Sequence, residues 1–210
     1  WEWNGTNWLQ HFPHTTPPAR YWHAMAAFGS HVILFGGSGA GGGYLSDTWR
    51  WDGTDWTQLN PSMHPDARYS HAMATLGSKV MLFGGGNSMI HFSDTWEWDG
   101  TDWTLRAPIT SPSARAGPAL TTLGDKVVLF GGSDTGLDDT WAWDGNTWIE
   151  ITPASSPSTR RGHALAALGT KVVLFGGLGS GLLQSDTWEF DGSTWTQRGV
   201  SSMGLPAYSH

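Results

Sequence analysis

One block of sequence recurs four times along the chain. Each copy carries, with variations, Ala-Arg-x-x-His-Ala, then Val-x-Leu-Phe-Gly-Gly, then Ser-Asp-Thr-Trp-x-Trp-Asp-Gly-x-x-Trp. The Gly-Gly pairs lie at residues 36–37, 84–85, 131–132 and 176–177, so successive copies are offset by 48, 47 and 45 residues. A period of this size indicates one supersecondary unit repeated in series, and this constrains the fold more than any other feature.

The second copy shows the strand pattern of the unit. Four segments that read as strands follow one another: 69–76, 79–83, 94–98 and a segment that begins at Trp103. The segment 79–83 is a continuous apolar run, which suits a strand buried on both faces. The alternation over 94–98 places Trp96 and Trp98 on one face of their strand. Each copy is therefore predicted to be a four-stranded antiparallel meander without a helix.

Such sheets bury their faces when the copies pack against one another around an axis, which gives a β-propeller. A Gly-Gly pair after an apolar strand and a Trp on the fourth strand, at this period, resemble the kelch repeat over nearly the whole chain. The resemblance implies an all-β fold, a β-propeller of four-stranded antiparallel kelch blades. The wording Asp-Thr-Trp-x-Trp-Asp-Gly is similar to bacterial kelch-type proteins, many of them secreted, and this similarity favours an extracellular location.

We predict one propeller domain over residues 1–210. Its repeats are expected at approximately 19–60, 67–107, 114–152 and 160–198. Residues 1–10 contain a further Trp-x-Trp hairpin, and 204–210 repeat the start of a first strand, so the two ends are expected to share a fifth, partial blade. Two alternatives stay open: the chain is a piece of a longer propeller, or its open ends pair between chains and cause self-association.

The composition argues against several kinds of partner. Lys and Arg together number 11, they form no run, and the net charge is −7, so a nucleic-acid partner is not expected. No apolar run approaches the roughly 20 residues that a membrane helix needs, so membrane insertion is not expected either. The chain has no Cys, which removes thiolate ligands and Cys nucleophiles.

No catalytic residue, cofactor or metal is expected. The propeller of galactose oxidase resembles kelch repeats, but its copper site needs a Tyr cross-linked to a Cys, and that chemistry is excluded here. Asp134, Asp138 and Asp139 place three carboxylates in one loop, yet their spacing is not that of an EF-hand. No two acidic residues outside the repeat pattern form a convincing catalytic pair.

Three sets of polar residues recur in the repeat. His23, His71 and His163 are expected to be buried and hydrogen-bonded to a neighbouring blade. Asp47, Asp94, Asp139 and Asp186 are expected to accept backbone N–H groups in turns. Arg20, Arg68, Arg115 and Arg160 begin the innermost strands and are expected around one mouth of the channel. There they would either pair with an Asp of a neighbouring blade or form a cationic site for a carboxylate or an anionic sugar.

Functional specificity is expected in the loops that follow the Gly-Gly pairs, where the copies differ. In a meander these loops and the connections between blades emerge on the same face. The loop residues that we single out are Tyr44, Leu45, Met89, Ile90, His91, Phe92, Leu137, Leu182 and Leu183. They form an interaction patch or fold inward to cap their blades, and the sequence leaves both interpretations open. Trp22 stands where other copies carry a small residue, so it is the best aromatic candidate for stacking on a ligand.

The sequence therefore favours a binding module over an enzyme. The first hypothesis is a scaffold that recognises a protein partner through the variable loops of one face. A glycan-binding, lectin-like propeller and a purely structural or assembly propeller are the two alternatives.

Overall fold

A computed structural model of the chain describes residues 1–133 and 136–199. Within these ranges every regular element is a β-strand. None of the described segments is a helix that is long and apolar enough to cross a membrane. Asp134 and the segment 204–210, on which two of the predictions depend, lie outside the described residues.

The strands form four blades, preceded by a short hairpin. The hairpin pairs β1 (Glu2–Trp3) with β2 (Trp8–Leu9). Blade 1 contains β3 (Arg20–Tyr21), β4 (Ala24–Phe28), β5 (His31–Gly39), β6 (Tyr44–Trp51) and β7 (Trp56–Leu59). Blade 2 contains β8 (Ala72–Leu76), β9 (Lys79–Phe83), β10 (Thr95–Trp98) and β11 (Trp103–Arg106).

Blades 3 and 4 repeat this order. Blade 3 contains β12 (Ala119–Leu123), β13 (Lys126–Gly132), β14 (Leu137–Trp143) and β15 (Trp148–Ile151). Blade 4 contains β16 (Ala164–Leu168), β17 (Lys171–Phe175), β20 (Thr187–Phe190) and β21 (Trp195–Arg198), with a small hairpin of β18 (Leu178–Gly179) and β19 (Leu182–Leu183) between β17 and β20. Every strand pair is antiparallel, and the four-stranded order confirms the predicted kelch-type, all-β propeller architecture.

The innermost strands lie side by side around the axis: β4 contacts β8, β8 contacts β12, and β12 contacts β16. The apolar core consequently lies in three layers between consecutive blades. This explains why the second strands read as continuous apolar runs, since a blade inside the array is covered on both faces. Trp98, Trp103, Trp143 and Trp148 are almost completely buried in these layers.

Each core layer contains the same contact of three residues, which we call the interblade triad. Phe35 of blade 1 packs edge-on against Trp103 of blade 2, with ring centroids 5.4 Å apart, and Trp103 Nε1 donates to Thr48 Oγ1 of blade 1 at 3.0 Å. The triad recurs as Phe83, Trp148 and Thr95 (5.1 and 2.9 Å) and as Phe130, Trp195 and Thr140 (5.2 and 2.9 Å). The following blade thus contributes the Trp, and the preceding blade contributes the Phe and the Thr.

In each blade, a buried arginine that precedes the innermost strand pairs with an aspartate at the start of the third strand. In blade 2, the Nη atoms of Arg68 donate to both carboxylate oxygens of Asp94 at 2.6 and 2.8 Å, and the Arg68 guanidinium also donates to the carbonyls of Asp66 and Gly84. Asp94 in turn accepts from Trp96 Nε1 at 2.7 Å. The same bidentate pair joins Arg20 with Asp47, Arg115 with Asp139 and Arg160 with Asp186.

These contacts correct two predictions. The arginine does not pair with an aspartate of a neighbouring blade, because the meander returns the start of the third strand to the start of the first strand within the same blade. The main donors to the aspartate are the guanidinium and the indole, and a backbone N–H adds to them at Asp47 and Asp186. The hydrogen bonds from Arg160 hold the pKa of Asp186 below its usual value, as expected for a bidentate charged partner.

The prediction that the repeated histidines are buried holds for two of the three. His71 and His163 are buried, and each packs edge-on against a Phe of the preceding blade, at 5.5 Å from Phe35 and Phe130 respectively. Both rings therefore lie where predicted, buried against a neighbouring blade, and their hydrogen bond to that blade stays a prediction. His23, in blade 1, is exposed.

The Gly-Gly pairs permit a close approach of the next blade. Gly36 and Gly37 both have positive φ, at 60° and 99°, which favours Gly. A Cβ at Gly36 would lie 2.9 Å from the carbonyl oxygen of Arg68, and the N–H of Gly37 donates to that same carbonyl at 2.9 Å. The glycine pair is therefore required by a backbone contact between blades.

Candidate binding mouth

One end of the array is formed by four short lead-in segments that precede the innermost strands, one per blade (residues 20–22, 68–70, 115–117 and 160–162). The last residue of each segment has a left-handed backbone: Trp22 (φ 55°), Ser70 (51°), Gly117 (68°) and Gly162 (62°). Their peptide groups form a chain of hydrogen bonds across the blades, which we call the mouth ladder. The N–H of Ser70 donates to the carbonyl of Trp22 at 2.9 Å, and the next two steps measure 2.7 and 3.0 Å.

The variable loops are held to this mouth by strand pairing. Residues 20–21 pair with 38–39 of the extended hairpin of blade 1. Tyr69 forms an isolated bridge with Gly86, and Arg161 forms one with Leu178. Because each loop is bonded to the lead-in segment of its own blade, the loops rim the mouth, as the meander topology predicts.

A cavity of about 530 Å³ opens at this mouth. Its lining residues are Trp22, Tyr69, Ser70, Ala116, Gly117, Arg161, Gly162, Gly177, Leu178 and Leu183. The lining is asymmetric, because blades 1 and 2 contribute aromatic rings whereas blade 3 contributes only small residues. The cavity is therefore bordered by flat apolar rings on one side and by the small residues of the mouth ladder on the other.

The aromatic side is a continuous row of four rings. Tyr21 packs edge-on against Trp22 with centroids 4.7 Å apart, Trp22 lies 5.2 Å from Tyr69, and Tyr69 stacks on Tyr44 at 5.0 Å. The side chain of Trp22 is 56% exposed despite these contacts. A bulky residue in the left-handed region is strained by about 1–2 kcal/mol, and such strain is concentrated at functional sites. This combination makes Trp22 the centre of the candidate site.

A second, shallower cavity of about 360 Å³ adjoins the first, and Tyr69 borders both. It is lined by the loop of blade 2, in which the side-chain oxygen of Asn87 accepts from the N–H groups of Met89 and Ile90 at 2.9 and 3.0 Å. This Asn-capped turn points two apolar side chains outward, and Met89 is 84% exposed. His91 lies in the same cavity lining.

Several loop residues that were predicted to bind a ligand instead take part in contacts that hold the blades together. Phe92 is buried, and its ring lies 4.1 Å from the guanidinium carbon of Arg68. The backbone carbonyls of Leu45, Phe92 and Leu137 each accept from the N–H of the next blade's lead-in arginine, at 3.1, 3.0 and 3.3 Å. For these three residues the loop folds inward, as one of the two interpretations expected. Leu182 and Leu183 are exposed on the β18–β19 hairpin, and Leu183 reaches the mouth cavity.

The predicted ring of cationic side chains is wrong. The side chains of Arg68, Arg115 and Arg160 are fully buried, and that of Arg20 is nearly so. Each guanidinium is occupied by its own aspartate and by backbone carbonyls, so none of them faces the cavity. The cation that does line the mouth is Arg161, which follows a frame arginine and which the sequence interpretation missed.

Tyr69 and Tyr21 were also missed, because both occur within Ala-Arg-Tyr-x-His and therefore resemble parts of the repeat. The available signal was the comparison of the four equivalent positions, which carry Tyr21, Tyr69, Ala116 and Arg161. A position that varies between copies, directly after an arginine that recurs in every copy, carries a side chain that the repeat architecture does not require.

No group of acidic and histidine side chains suited to a metal ion occurs among residues 1–133 and 136–199. Asp139 of the proposed acidic loop is the partner of Arg115, which removes it from that cluster as a ligand.

Comparison with known proteins agrees with the repeat architecture. A family model described as the KLHDC2/KLHL20/DRC7 Kelch-repeats domain matches residues 2–177. No curated protein matches the chain. The matched region includes the hairpin, blades 1 to 3 and the first two strands of blade 4. On this evidence the chain belongs to the Kelch-repeats domain family of KLHDC2, KLHL20 and DRC7.

Proposed function

We propose that the chain is a non-enzymatic binding module that recognises a protein partner at its mouth. The observation that carries this proposal is the exposed aromatic row centred on Trp22, placed beside the preformed apolar turn of Met89 and Ile90. Kelch-repeat domains are typically protein-interaction propellers, which supports the same class of function. We call the surface formed by Trp22, Tyr69, Met89 and Ile90 the mouth patch.

The mouth patch has the physical properties of an interaction hot spot. Trp and Tyr contribute large contact areas at a low entropic cost, and they dominate the binding energy of protein interfaces. The backbone beneath them is held by the mouth ladder and by the Asn87 turn, so little ordering is required on binding. A partner that inserts an apolar or aromatic side chain into the 530 Å³ cavity would bury this row against the small residues of the opposite side.

Affinity capture with matched variants tests this proposal. The folded chain would serve as bait in an extract of its source cells, and the captured protein would be purified and titrated against each variant. Trp22→Ala and Met89→Asp are each expected to weaken that binding at least tenfold, since both remove hot-spot contacts worth about 2 kcal/mol or more. Ile109→Asp is the control, because Ile109 is fully exposed in the connection between blades 2 and 3. A partner whose affinity none of the mouth variants changes would refute the mouth patch as its binding site.

A glycan ligand is the second candidate, because an exposed Trp at the rim of a concave cavity is also suited to stacking on a sugar ring. Screening the chain on a glycan array distinguishes the two functions. Sugar-competed binding that Trp22→Ala abolishes and Met89→Asp leaves intact would favour the lectin. A folded chain that binds neither glycans nor proteins would favour the structural propeller.

A further inference from the structure

The interblade triad is present three times among the described residues, and the parts of a fourth triad lie in the hairpin and in blade 4. Phe175 and Thr187 of blade 4 occupy the positions that Phe35 and Thr48 occupy in blade 1, according to the strand registers. Trp8 of the hairpin occupies the position of Trp103, because it pairs with Trp3 as Trp103 pairs with Trp98. One end therefore provides the Phe and the Thr, and the other end provides the Trp.

Within the described ranges, nothing covers the outer face of blade 4. Phe175 is 55% exposed, whereas the equivalent Phe130 is completely buried by blade 4. The glycine pair shows the same difference. A Cβ at Gly131 would lie 2.6 Å from the carbonyl of Arg160 in the next blade, but a Cβ at Gly176 would meet no described atom closer than 3.4 Å. This apolar face is built like an internal interface, and no described residue covers it.

The hairpin presents the complementary face. Trp1, Trp3 and Trp8 are all exposed, and Trp8 is 62% exposed. The rings of Trp3 and Trp8 are 5.6 Å apart at 49°, and those of Trp98 and Trp103 are 5.5 Å apart at the same angle. The hairpin therefore already has the ring geometry with which blade 2 packs against blade 1.

The two faces do not meet within one molecule. The hairpin lies beside blade 1, where Glu2 contacts His11 at 2.9 Å and the His11 ring lies 5.5 Å from Trp51. A cavity of about 520 Å³, lined in part by Trp1 and Trp56, separates the hairpin from the sheet of blade 1. In this position the Trp8 ring is exposed to solvent and does not contact Phe175.

We propose that a second copy of this chain covers the open face of blade 4, with its hairpin inserted as the next blade of the array. Trp8 of one copy would pack edge-on against Phe175 of the other and donate from Nε1 to the hydroxyl of Thr187. The contact repeats an interface that the fold already forms three times, and both of its halves are present in every copy. Because the two halves differ, the association is head-to-tail, which produces closed rings or open chains of copies. This surface is separate from the mouth patch, so either proposal can fail without the other.

The test is the molar mass of the purified chain over a range of concentrations, by light scattering and sedimentation. The unmodified chain is expected to shift from the mass of one copy to twice that mass or more as its concentration rises. Phe175→Arg blocks one face, and Trp8→Arg blocks the other. Both residues are more than half exposed, so circular dichroism should show that each variant is folded. Ile109→Arg is the matched control for an added charge at an exposed apolar residue.

Mixing the two blocked variants gives the decisive result. Each alone is expected to stay at the mass of one copy, while an equimolar mixture contains one intact pair of faces and should form a dimer and nothing larger. A chain that stays at the mass of one copy at all concentrations would overturn the proposal. So would association that Phe175→Arg leaves unchanged, association that Ile109→Arg abolishes equally, or a mixture that forms no dimer.

Discussion

The equivalence of Phe130 and Phe175 allows one residue type to be tested in two environments on the same frame. Both residues come directly before the Gly-Gly pair of their repeat, but Phe130 is completely buried against Trp195 and His163, whereas Phe175 is 55% exposed. Replacing a buried Phe by Ala costs about 3–5 kcal/mol, because the transfer energy is lost and a cavity remains. Replacing Phe175 should cost about 1 kcal/mol, since less than half of the roughly 1.5–3 kcal/mol of full burial is present.

Urea unfolding followed by Trp fluorescence measures both changes, at a protein concentration low enough for the chain to be a single copy. Phe130→Ala is expected to lower the free energy of unfolding by at least about 2 kcal/mol more than Phe175→Ala does. Because repeat arrays do not always unfold in one step, the transition should also be followed by circular dichroism. Equal losses for the two variants would refute the conclusion that blade 4 is covered on one face only.

Three further outcomes follow from the structure. Asp94→Asn should lower the free energy of unfolding by about 2–4 kcal/mol in urea titrations, because it leaves the buried Arg68 guanidinium without its charge partner, although Asp94 is a quarter exposed. The control Asp99→Asn, in an exposed turn, should lower it by less than about 0.5 kcal/mol. Similar losses for the two variants would contradict this role for the Arg68–Asp94 pair. Burial lowers the pKa of His71 to about 3 and that of His163 to about 4, so the unfolded chain binds more protons than the folded chain below pH 6.5. The free energy of unfolding should therefore fall by roughly 2 kcal/mol per histidine between pH 7.5 and pH 5. A urea midpoint that does not change over this pH range would refute the prediction. Trp22→Gly should change the free energy of unfolding by less than about 1 kcal/mol, because relief of the left-handed backbone strain offsets the lost ring contacts. The same variant should lose binding at the mouth. A clearly destabilised variant would contradict this balance.

The strands of the frame were predictable because their limits are set by local chemistry. Lys79–Phe83 agrees residue for residue with the predicted strand, since Gly77 and Gly84 bound a short apolar run on both sides. The period of the repeat then predicts the packing of blades, because every copy has the same two apolar faces. The partner of Arg68 could not be predicted in this way. Asp94 is 26 residues away, and only the return of the meander shows that the two meet within one blade.

The candidate site was predictable only in part. Met89 and Phe92 lie three residues apart in one loop and are both apolar, yet one is exposed and the other is buried. Their directions are decided by the side chain of Asn87 and by the contact of Phe92 with Arg68, which no pattern of hydrophobicity records. Trp22 was identifiable because it replaces a small residue, but its positive φ is a property of the mouth ladder and not of its local sequence.

The division of contacts in this fold has a consequence for how such a chain changes in evolution. The charged pair of each blade is internal, and the interblade triad is the same at the three described junctions, so these contacts need no new complementary substitutions when one blade stands next to another. A duplicated copy of the repeat would enter the array with both of its junctions already compatible. Gain or loss of a whole blade is then a single genetic step, and the loops at the mouth are free to diverge afterwards. The spacing of 48, 47 and 45 residues between otherwise matching copies is the record expected of such a history.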